Sequence, residues 1–247
     1  MKVININAKN ILNPSKVYDY TVNPYVGCAH GCHYCYARFI KRFLHVEEMW
    51  GNFICVKVNA PELLEKEVKK KKKGDVWISG ICDPYQPIER TLRLTRTCIK
   101  ILLSYGWNVY IQTKSNIILD DLDLLKSHRN VHVYFTITTV DEKVKEIFEP
   151  KAPPIHKRIE AVSRLYSEGI ETHVMIAPLL LGADGLVEKL RDKVYSVIID
   201  KMNYHYADWV YEKYKIQWTK SDRFFVEHGR RLKNLFEKYN VRCTLLY

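Results

Sequence analysis

Cys28, Cys32 and Cys35 fall within eight positions of one another, in Asn23-Pro24-Tyr25-Val26-Gly27-Cys28-Ala29-His30-Gly31-Cys32-His33-Tyr34-Cys35-Tyr36-Ala37. The pattern is C-x3-C-x2-C. Three thiolates on one tight loop can ligate three irons of a cubane and leave the fourth iron without a protein ligand. An open metal position is what a catalytic centre needs. Gly27 and Gly31 permit the backbone turns that let the thiolates converge. Two other readings share this spacing. One is a Cys3His zinc site with His30 or His33 as fourth ligand. The other is a set of small buried cysteines with no metal at all. The chain has seven cysteines, an odd number without regular pairing, which argues against a disulfide framework and for a reducing compartment.

Short β-rich segments alternate with amphipathic ones around this loop. The sequence predicts strands at Phe53–Val58, Asp75–Gly80, Trp107–Gln112, Val131–Thr138, Glu171–Ala177, Tyr195–Asp200 and Val241–Leu245. Helices are predicted from Pro61 through the lysine run, over Thr91–Tyr105 with Gly106 as stop, over Leu119–His128, over Pro154–Ser167 closed by Gly169, after Asp184, and over Asp222–Tyr239. Such alternation implies βαβ units on a parallel sheet, with active residues at the C-terminal strand ends.

With 247 residues the chain is long enough for one domain, residues 1–247, with a short N-terminal lead and a helical C-terminal extension. Hydrophobic residues are 47% and charged residues 27%, as in ordinary soluble proteins. No run approaches the roughly 20 apolar residues of a membrane span, and the N-terminus MKVININAKNILNPSK lacks an apolar signal core. A cytoplasmic location is the expectation. The net charge of +11 raises the odds of an anionic partner such as nucleic acid. Part of that excess, Lys69 to Lys73, reads first as the solvated end of a surface helix.

The cysteine pattern with aromatic Tyr34 before the last cysteine resembles the signature of the radical S-adenosylmethionine superfamily. The segments NPYVGCAHGCHYCYAR, SGICDPYQPIE, TKSNIILDDLDLL, TITTVDE, FEPKAPPIHKRIEAV and MIAPLL resemble the spore photoproduct lyase-like branch of that superfamily. The resemblance implies a partial (β/α)6 barrel. It implies a [4Fe–4S] cluster on Cys28, Cys32 and Cys35, and S-adenosylmethionine chelating the open iron. A one-electron donor such as flavodoxin or ferredoxin is implied as partner.

The resemblance also assigns positions. Tyr34 would lie beside the adenine. Ser79 and Gly80 would contact the methionyl amino group, and Lys114, in Thr113-Lys114-Ser115, the methionyl carboxylate. Ser115 belongs to the same cofactor motif. Thr136 and Thr138, on one face of their strand by the period of two, would reach the ribose or carboxylate. Glu149 and Arg158 are read either as a structural ion pair or as cofactor contacts. Asp83 and Glu89 either orient substrate or cap the loop and helix around Pro84-Tyr85-Gln86-Pro87. Reductive cleavage of S-adenosylmethionine would give a 5′-deoxyadenosyl radical that abstracts hydrogen from the substrate.

The lyase of this branch repairs a thymine dimer in DNA. Its hydrogen-returning cysteine aligns with Gly80, and Cys82 follows two positions later, where many relatives carry Thr. Cys82 is therefore the candidate catalytic hydrogen donor, with a pocket-lining role as its alternative. The substrate classes left open are nucleic acid, and a small molecule or peptide. A zinc-containing nucleic-acid-binding module without catalysis is the reading from another class.

Overall fold

The computed structural model describes residues 1–247. The chain groups into two units, one of Met1–His30 with Ala37–Val133 and one of Gly31–Tyr36 with Tyr134–Tyr247. Cys28 thus belongs to the first unit, and Cys32 and Cys35 to the second.

The first unit holds strands β1 (Lys2–Ile6), β2 (Leu12–Pro14), β3 (Tyr20–Val22), β4 (Tyr25–Val26), β5 (Phe53–Lys57), β6 (Asp75–Ile78) and β7 (Asn108–Thr113). Its helices are α1 (Ala60–Val68), α2 (Glu89–Leu92), α3 (Leu94–Ser104) and α4 (Leu122–Lys126). A small sheet has the order β1-β5-β4, with β1 parallel and β4 antiparallel to β5. In the other, β3, β6 and β7 run parallel, Tyr20 opposite Val76 and Val76 opposite Val109, with β2 antiparallel at the edge. Burial alternates along β7: Val109, Ile111 and Thr113 are buried, and the residues between them are not. That alternation specifies which face the helices cover.

Strand β8 (Val131–Thr136) leads from the first unit into the second. The second unit adds β9 (Glu171–Ile176), β10 (Ser196–Ile199) and β11 (Arg242–Leu245), all parallel. Its helices are α5 (Glu142–Phe148), α6 (Ile155–Ser167), α7 (Leu186–Leu190), α8 (Asp208–Lys213) and α9 (Asp222–Glu237). Asp141 caps α5 by accepting from the Lys143 and Val144 amides, and Ser221 caps α9 by accepting from the Phe224 amide. Gly106 and Gly169 follow α3 and α6 with φ of 70° and 78°, the left-handed turn that releases a chain from a helix.

Several expectations needed correction. The helix expected from Pro61 through the lysine run ends at Val68, before Lys69–Lys73, and the strand expected over Asp75–Gly80 ends at Ile78. The helix over Thr91–Tyr105 is broken at Arg93, whose φ is 50°. The Arg93 guanidinium pairs with Asp121 at 3.0 Å, and Thr95 Oγ1 donates to the Pro84 carbonyl at 2.7 Å, so tertiary bonds override helix continuity. The helix expected over Leu119–His128 begins as a 3-10 turn, Asn116–Asp121, capped by Ser115. The strand expected to run to Thr138 ends at Thr136. No helix is long and apolar enough to cross a membrane.

Candidate active site

In the first unit, buried side chains of the segment after β6 grip the N-terminal half of the cysteine loop. The Ala29 amide donates to Gln86 Oε1 at 2.9 Å, and Gln86 Nε2 donates to the Gly27 carbonyl at 3.3 Å. His30 Nδ1 lies 3.4 Å from Asp83 Oδ2. The Tyr25 hydroxyl hydrogen-bonds to Glu89, whose other oxygen accepts from the Arg96 amide at 3.1 Å. Asn23 Oδ1 accepts from the Ile81 amide at 3.1 Å. Gly27 sits at φ 87°, and a Cβ there would fall 2.6 Å from the Phe53 carbonyl oxygen. Only glycine lets the loop pass so close to β5.

The same segment organises two strand ends. Asp83 Oδ1 accepts from Thr113 Oγ1 at 2.7 Å and from the Tyr85 amide at 2.9 Å. Its Oδ2 accepts from the Lys114 amide at 2.7 Å. Lys114 is thereby fixed through its backbone at the end of β7 and stands half-buried. Ser115 is buried, donates its amide to Thr113 Oγ1 at 2.9 Å, and accepts from the Ile117 amide at 3.2 Å. At the end of β6, Ser79 is held in the left-handed region, φ 65°, with its amide on the Val22 carbonyl at 2.8 Å. Its Oγ is buried near the Cys82 thiol and makes no hydrogen bond of ordinary geometry. A strained non-glycine residue with an unsatisfied hydroxyl is costly unless a ligand uses it. A Cβ on the neighbouring Gly80 would meet the Trp77 ring at 3.0 Å.

The second unit grips the C-terminal half of the loop. The His33 amide donates to the Phe148 carbonyl at 2.8 Å, and His33 Nδ1 lies 2.8 Å from the Ile147 carbonyl, which requires the proton on that nitrogen. The Cys35 amide donates to the Cys32 carbonyl at 3.2 Å, a tight turn. The Tyr34 hydroxyl hydrogen-bonds to Glu149 Oε1, and Thr138 Oγ1 donates to the same oxygen at 3.3 Å. Glu149 Oε2 meets Arg158 Nη1 at 2.5 Å, with both side chains 0% exposed. Arg158 also donates through Nε to the Pro153 carbonyl at 2.9 Å and through Nη1 to the Thr136 carbonyl at 3.4 Å. Burial alone would lower the Arg158 guanidinium, and the Glu149 carboxylate more than reverses it. Burial, with Glu149 beside it, holds the Tyr34 phenol well above its usual range.

Cys28 and Cys32 are buried and Cys35 is half-buried, and none of the three is in a disulfide. Cys82 donates its Sγ–H to the Tyr25 carbonyl at 3.4 Å and packs against Tyr25, Ala29, Ile54 and Val56. Burial pushes its thiol up to about 12, so it stays protonated near neutral pH. Cys55, Cys98 and Cys243 are buried.

The sequence matches the Radical SAM superfamily over residues 22–185. This chain belongs to the radical SAM superfamily. An uncharacterized protein of Methanocaldococcus jannaschii is 36% identical over 182 residues, 73% of this chain and 68% of that one. An uncharacterized protein of Acidianus two-tailed virus is 28% identical over 254 aligned positions, 92% of this chain and 82% of that one. Among solved structures, spore photoproduct lyase complexed with dinucleoside spore photoproduct matches with a TM-score of 0.75 at 15% identity, over 99% of this chain and 82% of that one. Streptococcus suis SuiB bound to S-adenosylmethionine matches with a TM-score of 0.60 at 13% identity, over 92% of this chain and 50% of that one. The fold of this radical SAM protein is thus the expected α/β partial barrel.

The side chains expected around the cofactor divide by unit. Ser79, Gly80, Lys114 and Ser115 share the first unit with Asp83, and Tyr34, Thr136 and Thr138 share the second with Glu149. Ile137 is buried along with both threonines, so the alternation used to put them on one face does not extend past the strand end. Between Glu149 and Arg158 the structure shows a buried ion pair. Asp83 and Glu89 are buried and hold protein groups. The anchoring roles of Gln86 and Asn23 carry no local signal in the sequence, because their partners lie far away along the chain.

Proposed function

We propose that this radical SAM protein holds a [4Fe–4S] cluster on Cys28, Cys32 and Cys35, binds S-adenosylmethionine there, and acts on nucleic acid. The observation that carries this reading is the C-x3-C-x2-C loop itself. It bears three cysteines, none in a disulfide, and is tied at Gly27, Ala29, His30, His33 and Tyr34 to buried partners. The donor set fits the cofactor: three thiolates satisfy three irons and leave one for a small molecule. Ser79 adds to the fit, since its unsatisfied buried hydroxyl is an acceptor at the strand end where a methionyl amino group would bind. When bound, the cluster supplies one electron and S-adenosylmethionine supplies a carbon radical that abstracts hydrogen from the substrate.

The chain's own residues do the placing. The Lys114 ammonium, its backbone fixed by Asp83, offers a charge-assisted bond to the methionyl carboxylate. The Tyr34 hydroxyl is engaged by Glu149, which leaves the ring to contact adenine. Thr136 and Thr138 would line the ribose side, and Gly80 and Ser115 the methionyl side. Low exposure of Cys28 and Cys32, 7% and 6%, keeps water from the sulfurs.

Two facts support a nucleic-acid substrate: the net charge of +11, and the likeness in fold to a lyase solved with a dinucleoside. A peptide substrate is the second reading, favoured by the likeness to SuiB bound to precursor peptide SuiA, with a TM-score of 0.61. A flavodoxin- or ferredoxin-type donor would deliver the electron. The test is anaerobic incubation of reconstituted protein with dithionite and S-adenosylmethionine, with and without ultraviolet-irradiated DNA. The expected products are methionine and 5′-deoxyadenosine, with hydrogen transfer from the nucleic acid. A protein that takes up stoichiometric zinc and no iron overturns the reading.

A further inference from the structure

The second unit carries an unusual surface next to residues of the cysteine loop. Between positions 201 and 220, Tyr204, Trp209, Tyr214 and Trp218 are 46%, 45%, 44% and 58% exposed. Tryptophan is among the most buried residue types on average, yet two of the five in this chain stand out here. Every large hydrophobic residue exposed in the segment is aromatic and none is aliphatic.

The rings are arranged as a stack. Tyr36, directly after Cys35, lies 5.6 Å from Tyr204 at 26° between planes, and Tyr204 lies 6.4 Å from Tyr206 at 29°. Trp209 meets the His33 ring edge-on at 4.8 Å. The tyrosine row starts beside Cys35 and reaches solvent at Tyr204, between the half-buried Tyr36 and Tyr206, while Trp209 sits separately against the residue after Cys32. Charge in the segment favours an anion. Asp208 pairs with Lys220 and lies 2.9 Å from His205 Nδ1, and Lys213 and Lys215 stand exposed among the rings, outnumbering the exposed Glu212.

We infer that residues 201–220 form a stacking platform for single-stranded nucleic acid, with Tyr204 and Trp209 taking unpaired bases and Lys213 and Lys215 facing the phosphates. Bases stack on aromatic faces without regard to sequence, and lysines follow the backbone. A protein-docking surface would mix aliphatic side chains with its rings, and this surface has none exposed. The inference rests on the proposed function and narrows its substrate class to strands with bases free to unstack.

The test is fluorescence anisotropy of anaerobically reconstituted protein with labelled oligothymidylate, and with a duplex of equal length. Single-strand binding should exceed duplex binding and weaken as salt rises. Tyr204→Ala and Trp209→Ala should each weaken it about 10-fold or more, while Tyr204→Phe, which keeps the ring, should bind as wild type. Circular dichroism and iron content, read on the same samples, report folding and cluster loading. Equal affinity for duplex, no loss in the alanine variants, or binding only of an acidic redox protein overturns the platform. Iron-loaded protein that cleaves S-adenosylmethionine yet ignores oligothymidylate overturns the platform alone. Failure to load iron overturns the proposed function instead.

Discussion

Glu149 and Arg158 meet at 2.5 Å with neither side chain exposed to solvent, and the second oxygen of that carboxylate takes the hydroxyl of Tyr34. The aromatic residue of the cysteine motif is thereby tied to helix α6. A buried pair of this kind gives little net stability over an apolar replacement, but losing one partner strands a charge. Arg158→Ala should cost about 3–5 kcal/mol in urea unfolding. Replacing both residues by apolar ones should cost less than Arg158→Ala alone. A single variant within the error of wild type would show the pair to be dispensable.

Gln86 satisfies the Ala29 amide and the Gly27 carbonyl on the two sides of Cys28. Gln86→Ala leaves both groups without that partner in a buried setting. The expected loss is about 1–3 kcal/mol of stability, with faster release of iron to a chelator under anaerobic conditions. Release at the wild-type rate would mean that the loop is held without this side chain.

Glu89 sets a pH dependence. Burial raises its carboxyl above the ordinary 4.5, despite the Tyr25 hydroxyl and two backbone amides that act the other way. Between 4.5 and the raised value the folded chain binds more protons at this site than the unfolded chain. Its contribution to stability is therefore complete below 4.5 and is lost as pH rises through the folded value. Glu89→Gln cannot titrate. The unfolding free energy of wild type minus that of Glu89→Gln should fall as pH rises above 4.5, measured by urea titration across pH 4 to 8. A difference that grows with pH would contradict the assignment.

Lys114 is positioned by its backbone bond to Asp83 and serves in this account through its ammonium group. Lys114→Ala should leave iron content unchanged and weaken S-adenosylmethionine binding about 10- to 150-fold, the loss of one charged hydrogen bond. Calorimetry giving wild-type affinity would make Lys114 a bystander.

The sequence made some of this legible and hid the rest for identifiable reasons. The cysteine loop is local, so its spacing could be read directly, and that spacing left iron–sulfur, zinc and metal-free buried cysteines as the readings. The long strands and the glycine stops after α3 and α6 were readable because periodicity and left-handed turns are local as well. Strands β2 to β4, of two or three residues each, are too short for a period to show. The anchors of the loop depend on pairs far apart in the chain: Gln86 reaches back 57 and 59 positions, and Tyr34 forward 115. Asp83 and Glu89 were legible as functional or capping residues, but only the fold shows that they clamp Lys114 and Tyr25. Thr138 was expected to follow the alternation of β8, but the strand ends at Thr136 and Thr138 lies beyond it.

The most direct measurement of the central claim is metal analysis with electron paramagnetic resonance on anaerobically reconstituted wild type and Cys32→Ala. Wild type should hold about four irons per chain, and dithionite should produce a reduced-cluster signal that shifts when S-adenosylmethionine is added. Cys32→Ala should lose the iron and the signal together. One zinc per chain with no iron, or a signal indifferent to S-adenosylmethionine, would contradict the account.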